Sequence, residues 1–338
     1  MDDYDYGNST DDYRDLIVEG PSALGPPQTA ALVCYGLVFL LGVPGNAVVA
    51  WVTVFRMPRS ANTQWFSHLA LADLLCCLSL PLLMVPLARD QHWPYGWLGC
   101  KLLSGVFNLT MYCSVLLLVL ISLDRWLLVS RPVWCQNHRT ARRAGWACLG
   151  VWVLALLLSL PHALHMEERV MGRAKVVCES PPLTRAVAWT LEALRSVLGF
   201  ALPFLVIVAC HGVVYCRTVR GAGGARSPRT LRVICAVVVS FFACLLPLHV
   251  TSLAALLVPA DSPRRPGVRL AGVLTLCLAY FNCCLNPLLY VCLGRSFKDS
   301  LRRSVRGLFS FLGEEPARGA PGSVNTKSTS DNLQEKSV

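Results

Sequence analysis

The feature that most limits what this chain can fold into is a series of seven apolar runs, each long enough to cross a lipid bilayer. A hydrocarbon core of about 30 Å needs about 20 consecutive apolar residues in a helix, and helices satisfy every backbone polar group in lipid. The sequence therefore predicts an all-α membrane fold, a bundle of seven transmembrane helices. The predicted spans are 31–55, 65–88, 98–130, 145–164, 186–216, 230–258 and 270–293.

The composition also favours a membrane protein. Charged residues make up 15% of the 338 positions, whereas a soluble domain carries roughly 25%. A net charge of +11 would also suit a nucleic-acid-binding protein. The basic residues, however, lie in short connections between the apolar runs, so membrane lipid is a predicted partner and nucleic acid is not.

The distribution of basic residues predicts the orientation. They are concentrated in the first, third and fifth connections and after the last span, and such connections face the cytoplasm. We therefore expect a multi-pass plasma-membrane protein with an extracellular amino terminus. The outer connection 259–269 departs from this pattern, because it carries three arginines.

Four regions follow. Residues 1–30 are predicted to be an acidic extracellular tail without a cleavable signal peptide, and residues 31–293 the transmembrane bundle. Residues 294–310 have an apolar and a basic face, which predicts a short amphipathic eighth helix on the inner leaflet. Residues 311–338 are predicted to be a disordered cytoplasmic tail.

The amino-terminal tail carries candidate modification sites. Asn8 begins an Asn-Ser-Thr glycosylation sequence. Tyrosines among aspartates suit sulfation and are candidate ligand contacts: Tyr4, Tyr6 and Tyr13. The tail is either a first docking site for a basic ligand or a disordered acidic segment, and the sequence leaves both open.

Two of the 16 cysteines differ from the rest. Most lie inside the spans, where cysteine packs as a small apolar residue. Cys100 begins the third span on the outer side, and Cys178 lies in the outer connection after the fourth span. Because only the outer side is oxidising, we predict a disulfide between them that holds this connection over the bundle.

Polar residues inside the spans are functional candidates, because lipid makes them costly. Five lie at comparable depth: Asp73, Asn46, Ser114, Asn282 and Asn286. Together they would form either a site for a cation such as sodium or a structural network of hydrogen bonds.

Other features indicate a bundle that changes shape. Asp124 and Arg125, at the cytoplasmic end of the third span, form either a breakable ion pair or two charges that extend out of the membrane. Pro203, Pro247 and Pro287 interrupt three spans, where proline removes a backbone hydrogen bond and permits a kink.

At these residues the chain resembles the rhodopsin-like G-protein-coupled receptors, over about residues 30–310. The motifs that carry the resemblance are Gly45-Asn46, Leu71-Ala72-Asp73, the Cys100 and Cys178 pair, Asp124-Arg125-Trp126, Trp152, Pro203 with Tyr215, and Asn286-Pro287-Leu288-Leu289-Tyr290. The resemblance implies that Asp124 holds Arg125 until activation. Arg125 then contacts a heterotrimeric G protein, predicted to be of the inhibitory type.

The resemblance implies further roles. The implied switch positions, of which the tyrosines rearrange on activation, are Tyr215, Pro247, Pro287 and Tyr290. The implied sodium site, which is the only cofactor site expected, consists of Asp73, Ser114, Asn282 and Asn286. Receptor kinases and arrestin are implied to act on the carboxy-terminal tail, with candidate phosphorylation sites at Ser328, Thr329 and Ser330.

Four stretches narrow the resemblance to the chemoattractant receptors: 92–96, 111–118, 132–139 and 279–287. They are most similar to the receptors for the complement component 5a anaphylatoxin, which implies a peptide or small-protein ligand and a role in chemotaxis and inflammation. The alternatives are a formyl-peptide or chemerin receptor, or a decoy that binds ligand without coupling to G protein.

Arg195, in the outer part of the fifth span, matches the arginine of these receptors that meets the carboxyl end of the ligand. A guanidinium in such a pocket suits a carboxylate, although Arg195 could instead pair with Glu192 one turn earlier. Glu192, Arg169 and Asn108 are further candidate ligand contacts. The Asn-Leu-Thr sequence at Asn108 is rejected as a glycosylation site, because it lies inside a span.

Two positions depart from the family pattern. Gly272 stands where relatives carry an acid that faces the ligand, and Glu192 is a candidate substitute from another helix. Leu245 replaces the usual tryptophan of the sixth span, which keeps the decoy hypothesis open. Other classes receive less support: no internal repeat indicates a transporter, and no metal-ligand spacing or Ser-His-Asp set indicates an enzyme.

Overall fold

The computed structural model of the chain describes residues 25–171, 175–181, 184–220, 228–259 and 262–293. Its helices are α1 (Pro26–Trp51), α2 (Ala61–Ala88), α3 (Gly96–Ser130), α4 (Pro132–His138), α5 (Ala141–His165), α6 (Arg185–Ser196), α7 (Leu202–Arg220), α8 (Pro228–Leu257) and α9 (Arg265–Leu293). Two π-helical turns, Val52–Arg56 and Val197–Ala201, extend α1 and join α6 to α7.

Seven helical segments of the described chain are long and apolar enough to cross a membrane. In chain order these spans are α1, α2, α3, α5, the joined α6 and α7, α8 and α9. The predicted seven-helix bundle is therefore confirmed. The predicted eighth helix, at 294–310, lies outside the described residues.

Several helices begin before their apolar runs. The predicted tail boundary at residue 30 is wrong, because α1 begins at Pro26, and proline suits the first positions of a helix. Likewise α2 begins at Ala61 rather than 65, since Ser60 and Thr63 form a capping box. Capping residues are polar, so a search for apolar runs misses them.

The core is centred on α3. The larger cluster of buried apolar side chains includes residues of every span, among them Leu69, Leu117 and Phe241. A second cluster joins α1, α2 and α9. Gly45 allows α1 to approach α9 closely, because a Cβ atom at this position would lie 3.2 Å from the Cβ atom of Pro287.

A hairpin of two antiparallel strands, β1 (Glu167–Met171) and β2 (Lys175–Glu179), covers one end of the bundle. Cys178 on β2 forms a disulfide with Cys100 in the first turns of α3. The end that carries the hairpin is called the hairpin end, and the opposite end, which carries α4, the α4 end. The sequence predicted a covering connection here but not its strands.

Candidate functional site

At the hairpin end, a shielded ionic group forms where the fifth and sixth spans meet. The Arg195 Nη2 atom donates to the Glu192 Oε1 atom at 2.7 Å and to the Ser252 Oγ atom at 2.6 Å. The two charged side chains are 15% and 17% exposed. The pair with Glu192, which the sequence offered as an alternative to ligand contact, therefore forms, and Arg195 also bonds to the sixth span.

Further polar contacts extend this group across the bundle. The Ser196 Oγ atom lies 3.3 Å from the Nδ1 atom of His249, and the hydroxyls of Thr251 and Thr275 lie 2.9 Å apart. The fifth, sixth and seventh spans are thus joined side by side near Arg195. Sequence analysis missed Ser252 and His249, although their spacing of one helical turn places them on one face of α8.

The other predicted ligand contacts lie apart from Arg195 or have different bonds. Arg169 pairs across the hairpin with Glu179 at 3.1 Å, and both side chains are about 40% exposed. Asn108 is buried in α3, where its side-chain nitrogen donates to the carbonyl of Ser104 at 3.3 Å. Its Oδ1 atom has no hydrogen-bond partner among the described residues.

In the middle of the bundle, Asp73 is fully buried. Its two carboxylate oxygens accept hydrogen bonds from the Ser114 hydroxyl at 3.0 Å and from the Asn286 amide at 2.7 Å. The structure therefore brings three of the five predicted polar residues together, one each from α2, α3 and α9.

Asn282 and Asn46 complete the predicted set in different ways. Asn282 lines a cavity of about 20 Å³ together with Ser114 and Leu245, which is room for about one water molecule. The side-chain nitrogen of Asn46 donates to the carbonyls of Gly42 at 3.0 Å and Cys283 at 2.9 Å. Asn46 thus joins α1 to α9.

At the α4 end, Asp124 accepts two hydrogen bonds from Arg139, which follows α4. The Nε–Oδ1 distance is 2.6 Å and the Nη2–Oδ2 distance is 2.9 Å. Arg125, the predicted partner of Asp124, donates to the Asn62 Oδ1 atom at 2.8 Å. Sequence analysis counted Arg139 only as a loop charge and did not single out Asn62.

The remaining switch positions are placed as follows. Pro247 lies within α8, and its carbonyl accepts a hydrogen bond from Thr251 at 2.9 Å, while Pro287 lies within α9. Tyr215 is 54% exposed on α7. Tyr290 belongs to α9, but its side chain is outside the described set. Also outside the described residues are Tyr4, Tyr6, Asn8, Tyr13, Ser328, Thr329 and Ser330.

This bundle, with its hairpin bound to the third span and a polar centre around Asp73, defines the class of protein. Residues 45–290 match the model of the 7 transmembrane receptor (rhodopsin family), and the chain belongs to that family. It is thus a G-protein-coupled receptor and not an enzyme, and it is a multi-pass protein of the plasma membrane.

Within the family, the chain is similar to several curated receptors along nearly its whole length. It is 57% identical to the C5a anaphylatoxin chemotactic receptor 1 of Oncorhynchus mykiss, over 94% of this chain and 92% of that protein. It is 39% identical to the receptor of the same name from Homo sapiens, over 98% and 96%. It is also 40% identical to the C3a anaphylatoxin chemotactic receptor of Danio rerio, over 91% and 85%.

Proposed function

We propose that this receptor binds a complement anaphylatoxin of the C5a type and signals through an inhibitory-type G protein and arrestin in chemotaxis and inflammation. The observation that carries the proposal is the 57% identity, over 94% of the chain, to a receptor named for that ligand. The lower identity of 40% to a C3a receptor makes C5a the first choice. In this proposal the hairpin end faces outward and the α4 end faces the cytoplasm.

The chemistry at Arg195 suits the carboxy terminus of a peptide. A ligand carboxylate would compete with Glu192 for the guanidinium, and Arg–carboxylate bonds are among the stronger hydrogen bonds in proteins. Because both side chains are largely shielded from water, a charge added here acts through a lower effective dielectric than at the surface.

Ligand binding at Arg195 would also reach the sixth span. The guanidinium now bonds to Ser252 at 2.6 Å, so a carboxylate that draws Arg195 away weakens one contact between the fifth and sixth spans. The kink that Pro247 permits in α8 gives this span a point at which to bend. The ligand would thereby favour an arrangement in which the α4 end opens toward the G protein.

The residues around Asp73 fit a bound sodium ion. Carboxylate and hydroxyl oxygens of Asp73 and Ser114 suit a hard cation, and the Ser114 side chain also borders the cavity that Asn282 lines. When bound, the ion would supply positive charge beside a buried carboxylate. Asp73, Ser114, Asn282 and Asn286 would hold it and thereby keep α2, α3 and α9 together.

The two tails would serve the same function from either side. On the outside, the acidic segment with Tyr4, Tyr6 and Tyr13, sulfated and glycosylated at Asn8, would attract a basic ligand by charge. On the inside, phosphates on Ser328, Thr329 and Ser330 would pair with basic groups of arrestin. The segment 294–310 would lie on the inner leaflet.

The first test is a binding panel on cells that express this chain. We expect C5a to bind, and C3a, formyl peptides and chemerin to bind weakly or not at all. Binding of chemerin or a formyl peptide alone would overturn the choice of ligand.

A second test addresses Arg195 directly. A peptide with the carboxy-terminal sequence of C5a should lose roughly 100-fold in affinity when its terminal carboxylate is amidated, and Arg195→Ala should cause a similar loss. The variant should then no longer distinguish the acid from the amide. Arg185→Ala, a change to an exposed arginine on the same helix, is the matched control. Equal discrimination by the variant and the wild type would show that another residue meets the carboxylate.

A third test separates a signalling receptor from a decoy. Arg125→Ala should abolish agonist-driven nucleotide exchange on an inhibitory G protein while ligand binding remains. Arg142→Ala, at an exposed position near α4, should leave exchange unchanged. A wild-type receptor that binds C5a without any exchange would support the decoy hypothesis.

A further inference from the structure

The contact that ties α4 to the bundle is an ion pair between Arg139 and Asp124. Arg139 presents two nitrogens to the two carboxylate oxygens, at 2.6 and 2.9 Å, which is the bidentate geometry that makes arginine pairs strong. The Asp124 and Arg139 side chains are 8% and 20% exposed. The charge of Asp124 is thus neutralised by a residue of the connection between the third and fourth spans.

Asn62, at the start of α2, brings Arg139 and Arg125 to one atom. Its Oδ1 atom accepts from the Arg139 Nη2 atom at 2.5 Å and from the Arg125 Nη2 atom at 2.8 Å. The two guanidinium groups and the carboxylate therefore converge at one place. Because Asn62 is neutral, its bond to Arg125 is weaker than a bond to a carboxylate would be.

We propose that Arg139 is a positioning residue for G-protein coupling: it occupies the carboxylate of Asp124, so that Arg125 is held at this site by a neutral amide and is withdrawn readily. In the same arrangement Arg139 docks α4 against α3, which fixes the connection beside Arg125. The inference rests on the proposed coupling to G protein, and it replaces the implied pair of Asp124 with Arg125 by a pair of Asp124 with Arg139.

Removing Arg139 has a specific consequence under this arrangement. Arg139→Gln keeps a polar side chain but leaves the Asp124 carboxylate without its guanidinium, so the neighbouring Arg125 becomes its partner. Coupling should fall, with about a tenfold loss in agonist potency for nucleotide exchange, while ligand affinity is unchanged. Asp124→Asn combined with Arg139→Gln should restore potency, because no carboxylate remains to retain Arg125.

The experiment uses the full-length receptor in lipid nanodiscs with a purified inhibitory G protein, and measures nucleotide exchange with C5a and without ligand. Arg142→Gln, which removes the same charge from an exposed position, is the control and should behave as the wild type. Restoration by the double substitution separates this role from a structural one, since a merely loosened connection would stay impaired. A double variant no better than Arg139→Gln alone would overturn the proposal.

Hydrogen exchange provides a readout that needs neither ligand nor G protein. Arg139→Gln should raise deuterium uptake across Pro132–His138, because the ion pair no longer holds α4, and Arg142→Gln should not. If C5a fails to act on the wild type, the proposed ligand is wrong, yet this measurement still decides whether Arg139 holds α4. Unchanged uptake in Arg139→Gln would overturn the inference by itself.

Discussion

The two ends of the bundle each carry a shielded ion pair, but they use it differently. At the hairpin end, Arg195 and Glu192 lie one turn apart on the same helix, while the hairpin itself is fixed by a disulfide to α3. At the α4 end, Arg139 and Asp124 belong to different segments. A ligand can therefore take Arg195 from Glu192 without detaching any segment, whereas breaking the pair at the α4 end frees a connection.

The largest effect should follow from removing the covalent bond that distinguishes the hairpin end. Replacing Cys100 and Cys178 together by serine should lower the free energy of unfolding by roughly 2–4 kcal/mol and abolish ligand binding, since the hairpin is no longer fixed over the pocket. Thermal unfolding in detergent and ligand binding would measure this. The control is Cys216→Ser, because Cys216 is a free, exposed cysteine. A double variant as stable as the control would mean that noncovalent contacts alone hold the hairpin.

An intermediate effect is expected from the contact between the fifth and sixth spans. Ser252→Ala removes the acceptor of Arg195 on α8, so ligand-free nucleotide exchange should rise about threefold to tenfold, the range expected for one hydrogen bond. Thr190→Ala on α6, whose hydroxyl bonds to the carbonyl of Ala186 in its own helix, should leave exchange unchanged. No rise in Ser252→Ala would show that this contact does not restrain the sixth span.

The smallest effect should come from the exposed pair on the hairpin. Arg169 and Glu179 are about 40% exposed, and such pairs contribute about 0–1 kcal/mol. Arg169→Ala should therefore leave the midpoint of thermal unfolding within about 2 °C of the wild type. Its ligand affinity decides a separate question, because a clear loss without a loss of stability would identify Arg169 as the ligand contact that the sequence predicted.

The sequence predicted the parts of this molecule that lipid makes conspicuous. A run of apolar residues or a buried aspartate such as Asp73 has few interpretations inside a membrane, so the spans and the candidate polar centre were accessible. The position of α4 was not, because a helix of seven residues is too short to show a periodic pattern. The partner of Asp124 was missed for a related reason: charges between spans indicate orientation but do not specify contacts.

The π-helical turn Val197–Ala201 gives the fifth span two faces that a regular helix could not present together. A wider turn of this kind inserts an extra residue into the winding, which shifts the phase of everything beyond it by about 100°. Above the turn, Arg195 reaches Ser252 on the sixth span; below it, His211 lies 3.1 Å from Ser122 on the third. Shortening this turn by one residue would force the span to give up one neighbour to keep the other.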